Sequence, residues 1–223
     1  MTDGLKFARR AAKSGTTRSI VVFVHGYGAD GADLLGLADV LAPHLPDTIF
    51  YAPDAPQACK GNPFGYQWFP IPSMDGSSEV AAAAGLAASA EALNAFLDAC
   101  LAEAGLSDAD LALIGFSQGA MMSLHIAPRR SHPIACVVAI SGRLLQPETL
   151  ADEMLVKVPV LLVHGDQDPV VPFASMKAAG DVLVENGFET YAHVIRGTGH
   201  GIANDGLSAA LGFLTERLPK ADR

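Results

Sequence analysis

Cysteine and positive charge are both scarce in this chain of 223 residues. Its three cysteines (Cys59, Cys100 and Cys136) are widely spaced and form no C-x-x-C pair. The sequence therefore gives no support for a disulfide framework or a zinc site, and it favours a reducing, cytoplasmic setting. The formal net charge of −9 argues against a nucleic-acid partner, because contacts to phosphates need a basic surface.

Long uninterrupted apolar sequence is also missing. Residues 1–19 include basic residues but no apolar stretch of the signal-peptide kind, so we expect no secretory signal there. The longest apolar stretch, residues 80–105, is rich in alanine and is interrupted by Ser89, Glu91, Asn94, Asp98 and Glu103. A membrane span would not hold so many polar groups at its centre, so we predict a helix without stable membrane insertion.

What the sequence does contain is enough apolar material for a substantial core. Half of the residues are hydrophobic and 17% are charged, as expected of a folded domain. Short apolar runs alternate with helical stretches, which predicts an α/β fold with a mostly parallel central sheet and helices on both faces. Strands are predicted at 19–24, 48–51, 111–115, 136–140, 160–163 and 191–195, with an additional edge strand at 5–10, and helices at 31–41, 78–104, 117–126, 173–186 and 205–218.

One segment does not follow this alternation. Residues 53–77 are rich in proline, glycine and aromatic side chains and show no clear period. The absence of linkers and repeats predicts a single domain over residues 1–223, with 53–77 as an irregular loop. Loops of this length inside a domain are usually functional or disordered. Within it, Trp68 and Phe69 either wall an apolar substrate pocket or pack against the sheet.

The strongest local motif is G-x-S-x-G at positions 115–119, which read G-F-S-Q-G. A buried strand is predicted before it and a helix after it, the strand–turn–helix context that a nucleophilic serine requires. Gly115 and Gly119 would remove side chains that collide in so sharp a turn. We therefore predict that Ser117 is the nucleophile.

A serine nucleophile needs a base and an acid that orients the base. In hydrolases with a G-x-S-x-G turn, the acid follows the serine in the chain and the histidine base follows the acid. His200 lies in a glycine-flanked loop after the last predicted strand, and the other six histidines are predicted to be structural. Asp166 and Asp168 both follow the strand at 160–163, at the sheet edge where such sites lie. Their spacing does not distinguish the two as the acid.

Hydrolysis of an ester also needs N–H donors for the oxyanion. One should be the backbone N–H of Gln118, the residue after the nucleophile. The run H-G-Y-G at positions 25–28 ends an early strand, and its glycines allow close approach to a substrate. Tyr27 N–H is the predicted second donor.

Together these motifs resemble the phospholipase/carboxylesterase family of α/β-hydrolases. The matching stretches are 24–28 (V-H-G-Y-G), 51–56 (Y-A-P-D-A-P), 68–69 (W-F), 115–119 (G-F-S-Q-G), 140–142 (I-S-G), 164–172 (H-G-D-Q-D-P-V-V-P) and 199–201 (G-H-G). The resemblance implies a Ser117–Asp168–His200 triad and Tyr27 and Gln118 as oxyanion donors. It also implies a small ester or acyl-thioester substrate, no cofactor, and frequent homodimers.

The sequence departs from that family at two positions and leaves some alternatives open. Tyr27 stands where relatives often have leucine, and Arg143 stands where a more apolar residue is expected. The expected activity is that of a serine carboxylesterase. Acyl-protein thioesterase or lysophospholipase activity, transfer of the acyl group to an alcohol or to peroxide, and a non-catalytic binding module on the same scaffold are the alternatives.

Overall fold

A seven-stranded sheet runs through the computed structural model, which describes residues 4–60 and 62–219. The strands of this described part are, in chain order, β1 (Phe7–Arg10), β2 (Ser19–Val24), β3 (Thr48–Pro53), β4 (Gln57–Cys59), β5 (Asn62–Gln67), β6 (Leu111–Phe116), β7 (Cys136–Ile140), β8 (Val160–Gly165) and β9 (Thr190–Ile195). Strands β4 and β5 form a separate two-stranded hairpin.

The order of the strands reverses its direction across the sheet beside β2. The order is β1-β3-β2-β6-β7-β8-β9, and all neighbouring strands are parallel except β1 and β3. The chain moves from β2 outward to β3 and later returns to the other side of β2 with β6. Ligand sites of open α/β sheets lie at the carboxyl ends of strands beside such a reversal.

Helices cover both faces of the sheet, as the sequence predicts. They are α1 (Gly31–Leu35), α2 (Leu37–Leu41), α3 (Pro72–Asp75), α4 (Glu79–Ala104), α5 (Gln118–Ile126), α6 (Leu150–Glu153), α7 (Ala174–Glu185) and α8 (Asn204–Arg217). Buried side chains of α4, α5 and α7 pack on one face, and those of α1, α2 and α8 pack on the other. Strand β2 is buried along its whole length and contributes alternate side chains to the two layers.

Two predicted elements differ from the observed ones. The helix predicted at 31–41 is divided at Gly36 into α1 and α2, since glycine is unfavourable inside a helix. The edge strand predicted at 5–10 begins at Phe7 and pairs antiparallel with β3. The other strands and helices agree with their predictions to within about two residues, which is the usual uncertainty of element ends.

The prediction of an irregular loop at 53–77 was wrong for much of that segment. It contains β4, β5 and the short helix α3, and Tyr66 pairs with Ala29 in an isolated bridge. Strand β4 has three residues, and its pairing with β5 shifts register between Ala58 and Cys59. A short, shifted strand leaves no two-residue period in the sequence, which explains why the hairpin was not predicted.

By length and composition alone, α4 could cross a membrane. One such helix is weak evidence, because a helix on the core of a folded protein passes the same test. Leu93, Leu97 and Leu101 of α4 are buried in the layer on one face of the sheet. The helix begins after Ser78, whose hydroxyl accepts from Ala81 N–H at 3.1 Å, and ends at Gly105.

The start of α5 approaches β2 so closely that no side chain fits at position 119. A Cβ atom on Gly119 would overlap the carbonyl oxygen of Val24 and lie 2.6 Å from that of His25. A Cβ on Gly115 would in turn collide with the backbone of Gly119. The two glycines therefore set how near the helix comes to the ends of β2 and β6.

We expect the substitution Gly119→Ala to lower the free energy of unfolding by about 3 kcal/mol, because backbone atoms cannot move aside for the added methyl group. Gly212→Ala is the matched control, since Gly212 is exposed in α8 and no atom lies within 4 Å of its added Cβ. That change should stabilise the protein by about 0.5–1 kcal/mol through helix propensity. Denaturant-induced unfolding measures both, and equal midpoints for Gly119→Ala and the wild type would contradict the packing argument.

Candidate active site

Ser117 sits in the sharp turn between β6 and α5. Its backbone has φ 53° and ψ −117°, a conformation that costs a non-glycine residue about 1–3 kcal/mol. The surrounding structure holds it there: Ser117 N–H donates to the carbonyl of Ile140 at 2.8 Å, and its own carbonyl accepts from Met121 N–H at 3.1 Å. The strained turn directs the hydroxyl away from the sheet edge.

The structure brings Ser117, His200 and Asp168 together in one hydrogen-bonded series. His200 Nε2 lies 2.9 Å from Ser117 Oγ, and His200 Nδ1 lies 2.7 Å from Asp168 Oδ2. Because a carboxylate only accepts, Nδ1 carries the hydrogen and Nε2 is free to accept from the serine hydroxyl. The imidazole packs against the Phe116 ring at 4.9 Å between centroids, which limits its rotation.

Asp168 is a fully buried carboxylate with several donors. Its Oδ1 accepts from the backbone N–H groups of Val170 and Val171 at 2.8 and 2.9 Å. His164 Nε2, which donates to the Val171 carbonyl at 2.9 Å, lies 3.3 Å from Oδ2. Burial alone would raise the pKa of Asp168, but the hydrogen bonds from His200, Val171 and Val170 outweigh it and hold the pKa below its ordinary value.

Asp166, the other acid that the spacing allowed, has a different partner. Its Oδ1 accepts from the backbone N–H of Gly197 at 2.7 Å. This bond ties the loop after β8 to the loop after β9, which carries His200. The residue that contacts the His200 imidazole is Asp168, the one that the family resemblance indicated.

The remaining six histidines are predicted to be structural, and none of them contacts Ser117. His25 and His164 are fully buried with hydrogen bonds to backbone groups, and His193 lies 3.4 Å from Asp205. His44 and His132 are exposed. His125 is buried in α5, and burial lowers its pKa to about 4.

The loop after β2 packs directly against the serine turn. A Cβ atom on Gly26 would lie 3.3 Å from both Phe116 Cδ1 and Ser117 Cβ. Within the described part of the chain, the backbone N–H groups of Tyr27 and Gln118 have no protein acceptor. Two free donors beside a serine hydroxyl suit a developing oxyanion. The Tyr27 hydroxyl hydrogen-bonds with Cys59, which ties its ring to β4.

Trp68 and Phe69 lie in the core rather than on an open surface. Trp68 is 0% exposed and Phe69 is 8% exposed, and both belong to the apolar layer of α4 and α5. Trp68 N–H donates to Gln118 Oε1 at 2.8 Å, and Gln118 Nε2 donates to the Phe69 carbonyl at 2.7 Å. This burial favours packing over a pocket wall for Trp68, and a pocket role for Phe69 stays a prediction.

An open groove of about 800 Å³ lies away from the triad, between β1 and the outer side of α4. Phe7, Phe96 and Ala99 are among its lining residues, and neither Ser117 nor His200 is. This groove is therefore separate from the Ser117–His200 pair. Among the described residues, no group of three histidine, cysteine or acidic side chains is arranged to hold a metal ion.

The turn after β7 carries the S-G pair of positions 141–142. This pair belongs to a stretch that resembles the family, but no role was predicted for it. Ser141 has φ 53° and donates its N–H to the Val163 carbonyl at 2.8 Å. A Cβ on the following Gly142 would lie 2.6 Å from Ala120 Cβ. Positions 141–142 thus support the start of α5, and the S-G pair in the sequence was the signal for this close packing.

Comparisons with known proteins identify the family of the chain. Residues 7–218 match the Phospholipase/Carboxylesterase family model. Esterase YpfH of Escherichia coli K12 is 28% identical over 91% of this chain and 84% of its own length, and acyl-protein thioesterase 1 of Saccharomyces cerevisiae is 28% identical over 94% and 97%.

Among solved structures, the crystal structure of esterase PE8 superimposes with a TM-score of 0.91 and 44% sequence identity. The match covers 96% of this chain and 100% of that one. One assignment follows from three findings: the strand order of the α/β sheet, a family model that spans nearly the whole chain, and relatives named as esterases and thioesterases. The chain belongs to the phospholipase/carboxylesterase family of α/β-hydrolases and is a hydrolase of the carboxylesterase type.

Proposed function

We propose that this protein is a serine carboxylesterase that hydrolyses small carboxylic esters through an acyl-enzyme on Ser117. The observation that carries the proposal is the continuous series of hydrogen bonds from Ser117 Oγ through His200 to Asp168, at 2.9 and 2.7 Å. A free serine hydroxyl is a weak nucleophile, and a histidine in this position and tautomer can take its proton. The N–H groups of Tyr27 and Gln118, which have no protein acceptor among residues 4–60 and 62–219, support the same reaction.

In the first step, His200 Nε2 accepts the Ser117 proton as Oγ bonds to the carbonyl carbon of the ester. Asp168 stabilises the resulting imidazolium and keeps its orientation. The Tyr27 and Gln118 N–H groups donate to the oxyanion. His200 then gives the proton to the leaving oxygen, the bond to it breaks, and the acyl group remains on Ser117.

In the second step, His200 takes a proton from a water molecule as that water attacks the acyl carbonyl. The second oxyanion uses the same two donors. When it collapses, the bond to Ser117 Oγ breaks, the proton returns to Oγ, and the carboxylic acid leaves. The protein ends in its starting state.

Thioester hydrolysis is the second candidate, since several relatives are named acyl-protein thioesterases. The same residues would cleave a thioester, because the oxyanion and the nucleophile are unchanged and only the leaving atom differs. Lysophospholipase activity would differ only in the alcohol that leaves. The values of kcat/KM for an oxygen ester and for the thioester of the same acyl group distinguish ester hydrolysis from thioester hydrolysis.

A cytoplasmic location is part of the proposal. Cys59, Cys100 and Cys136 are all free and buried. Burial raises the pKa of Cys100 and of Cys136 to about 12, so both thiols are protonated at neutral pH. Free thiols suit a reducing compartment. The homodimer that the family resemblance implies stays a prediction.

The role of Ser117 is tested with a fluorophosphonate probe, which bonds covalently to activated serine hydroxyls. We expect stoichiometric labelling of the wild type at Ser117, located by peptide mass spectrometry, and none of Ser117→Ala. Hydrolysis of p-nitrophenyl acetate should fall about 10³-fold or more in the same variant. The control Ser208→Ala changes an exposed hydroxyl in α8 and should label and turn over normally. Undiminished labelling of Ser117→Ala would refute the proposal, and binding of esters without any turnover would favour the binding module.

The two acids are separated by a pair of identical changes. Asp168→Asn should lower kcat about 10³- to 10⁴-fold, because the amide oxygen accepts from the Val170 and Val171 N–H groups and the NH₂ then faces His200 Nδ1, which favours the wrong imidazole tautomer. Asp166→Asn keeps an oxygen that accepts from Gly197 N–H, so its kcat should stay within about threefold of the wild type. Steady-state kinetics of both variants with one ester decide the matter, and equal losses in the two would contradict the assignment.

Unfolding measurements give a second test of the Asp168 environment. Since the folded protein holds the pKa of Asp168 below its ordinary value, the ionised carboxylate stabilises the fold above about pH 4. Asp168→Asn should therefore unfold more easily than the wild type at pH 7. The difference should shrink as the pH falls below about 4, where the unfolded chain takes up the proton. A pH-independent difference would show that ionisation of Asp168 does not contribute.

A further inference from the structure

The mechanism leaves one fully buried polar residue beside the oxyanion loop without a role. His25 is 0% exposed. Its Nε2 accepts from the backbone N–H of Ala55 at 2.9 Å, and its Nδ1 lies 2.8 Å from the carbonyl of Gly26. Because Nε2 accepts, Nδ1 carries the hydrogen and donates to Gly26. Burial lowers the pKa of His25, which favours this neutral tautomer.

The bond to the Gly26 carbonyl bears directly on the Tyr27 donor. The Gly26 carbonyl and the Tyr27 N–H belong to one planar peptide unit and point in opposite directions. A hydrogen bond that fixes the oxygen therefore also fixes the direction of the N–H. Ala29 N–H donates to the same oxygen at 3.3 Å, a longer contact than the one from His25.

A second set of buried hydrogen bonds connects His25 to the side chain of Gln118, the residue whose backbone N–H is the other proposed donor. Trp68 Nε1–H donates to the His25 carbonyl at 2.9 Å. The side-chain amide of Gln118 accepts from Trp68 N–H and donates to the Phe69 carbonyl. The hydroxyl of Ser89 donates to the Trp68 carbonyl. Gln118 and Trp68 are each 1% exposed or less, so water does not replace these bonds.

We propose that His25, Trp68 and Gln118 form an oxyanion support network, which fixes the directions of the Tyr27 and Gln118 N–H groups relative to each other, with His25 as a positioning residue. The inference rests on the proposed function, since it assumes an oxyanion at Ser117. Donors that are already aligned stabilise the transition state without reorganisation. The network touches backbone groups alone, so it acts on kcat and leaves substrate affinity nearly unchanged.

The central test replaces His25 by leucine and by asparagine, which are similar to each other in size but differ in hydrogen bonding. His25→Leu removes the donor and should lower kcat for p-nitrophenyl acetate by about 10- to 100-fold with KM within about threefold, a loss smaller than or equal to that of a whole oxyanion donor. His25→Asn offers a side-chain N–H near the position of Nδ1 and should recover part of this loss. A trifluoromethyl ketone inhibitor, whose hemiketal oxyanion uses the same donors, should weaken in parallel with kcat/KM.

His125→Leu is the matched control. His125 is also a buried histidine, but it lies in α5 away from the network, so kcat of this variant should stay within about twofold of the wild type. Trp68→Phe keeps an aromatic ring but removes the Nε1–H bond to His25 together with part of the buried ring volume. It should lower kcat by about three- to tenfold, because the carbonyl of His25 loses the indole N–H as a donor. Thermal unfolding and circular dichroism check that each variant is folded.

A double-mutant cycle tests whether the two ends of the network act together. Gln118→Met removes the side-chain hydrogen bonds but keeps the backbone N–H. If His25 and Gln118 act through the same network, the double variant should lose less than the product of the two single losses. Multiplicative losses would mean that the two residues act separately and would overturn the proposed coupling.

The outcomes separate the inference from the proposed function. Folded His25→Leu and Trp68→Phe proteins with wild-type kcat, or an equal loss in His125→Leu, would overturn the network while Ser117 labelling stays intact. A wild-type protein that does not react with the fluorophosphonate at Ser117 would instead overturn the proposed function. Loss in His25→Leu, recovery in His25→Asn and no change in His125→Leu would support the network.

Discussion

The close approach of helix α5 to strand β2 is the constraint on which the site depends. At Gly119 the helix backbone lies against the carbonyl oxygens of Val24 and His25, with no room for a Cβ atom. This contact brings together the strained turn at Ser117, the helix N-terminus and the loop after β2. A helix set farther from the strand by a methyl group would move the Gln118 N–H away from the loop that carries Tyr27, the other proposed oxyanion donor.

Much of the fold could be predicted from the sequence because the sheet is parallel and buried on both faces. Strands of that kind read as continuous apolar runs, as in β2 and β8, and their boundaries were predicted to within about two residues. The candidate nucleophile could be located because it follows such a strand, β6, whereas the histidine follows the partly exposed edge strand β9 and was located by its glycine-flanked loop. The choice between Asp166 and Asp168 could not be made from spacing, because both follow β8. It depends on how the loop curls so that Val170 and Val171 N–H face Asp168.

The structural features that could not be predicted from the sequence share a physical cause. The hydrogen bonds of Gln118 join residues about fifty positions apart in the chain, and contacts at such a separation leave no periodic pattern. The hairpin of β4 and β5 was hidden for a related reason, since its short strands are held by pairing with each other and with Ala29. The W-F pair at 68–69 was singled out in the sequence for its apolar side chains. In the structure, the hydrogen bonds of this pair are made by its backbone groups and by the indole N–H.

Both departures from the family pattern lie in side chains rather than in backbone groups. The two proposed oxyanion donors are main-chain N–H groups, which do not depend on the side chain at position 27, and here the Tyr27 hydroxyl hydrogen-bonds with Cys59. Arg143, which also departs from the family pattern, is exposed and has no ion-pair partner within the described residues. Neither change disturbs the buried contacts of His25, Trp68 or Asp168. Both side chains can therefore differ from the family pattern while these buried contacts stay in place.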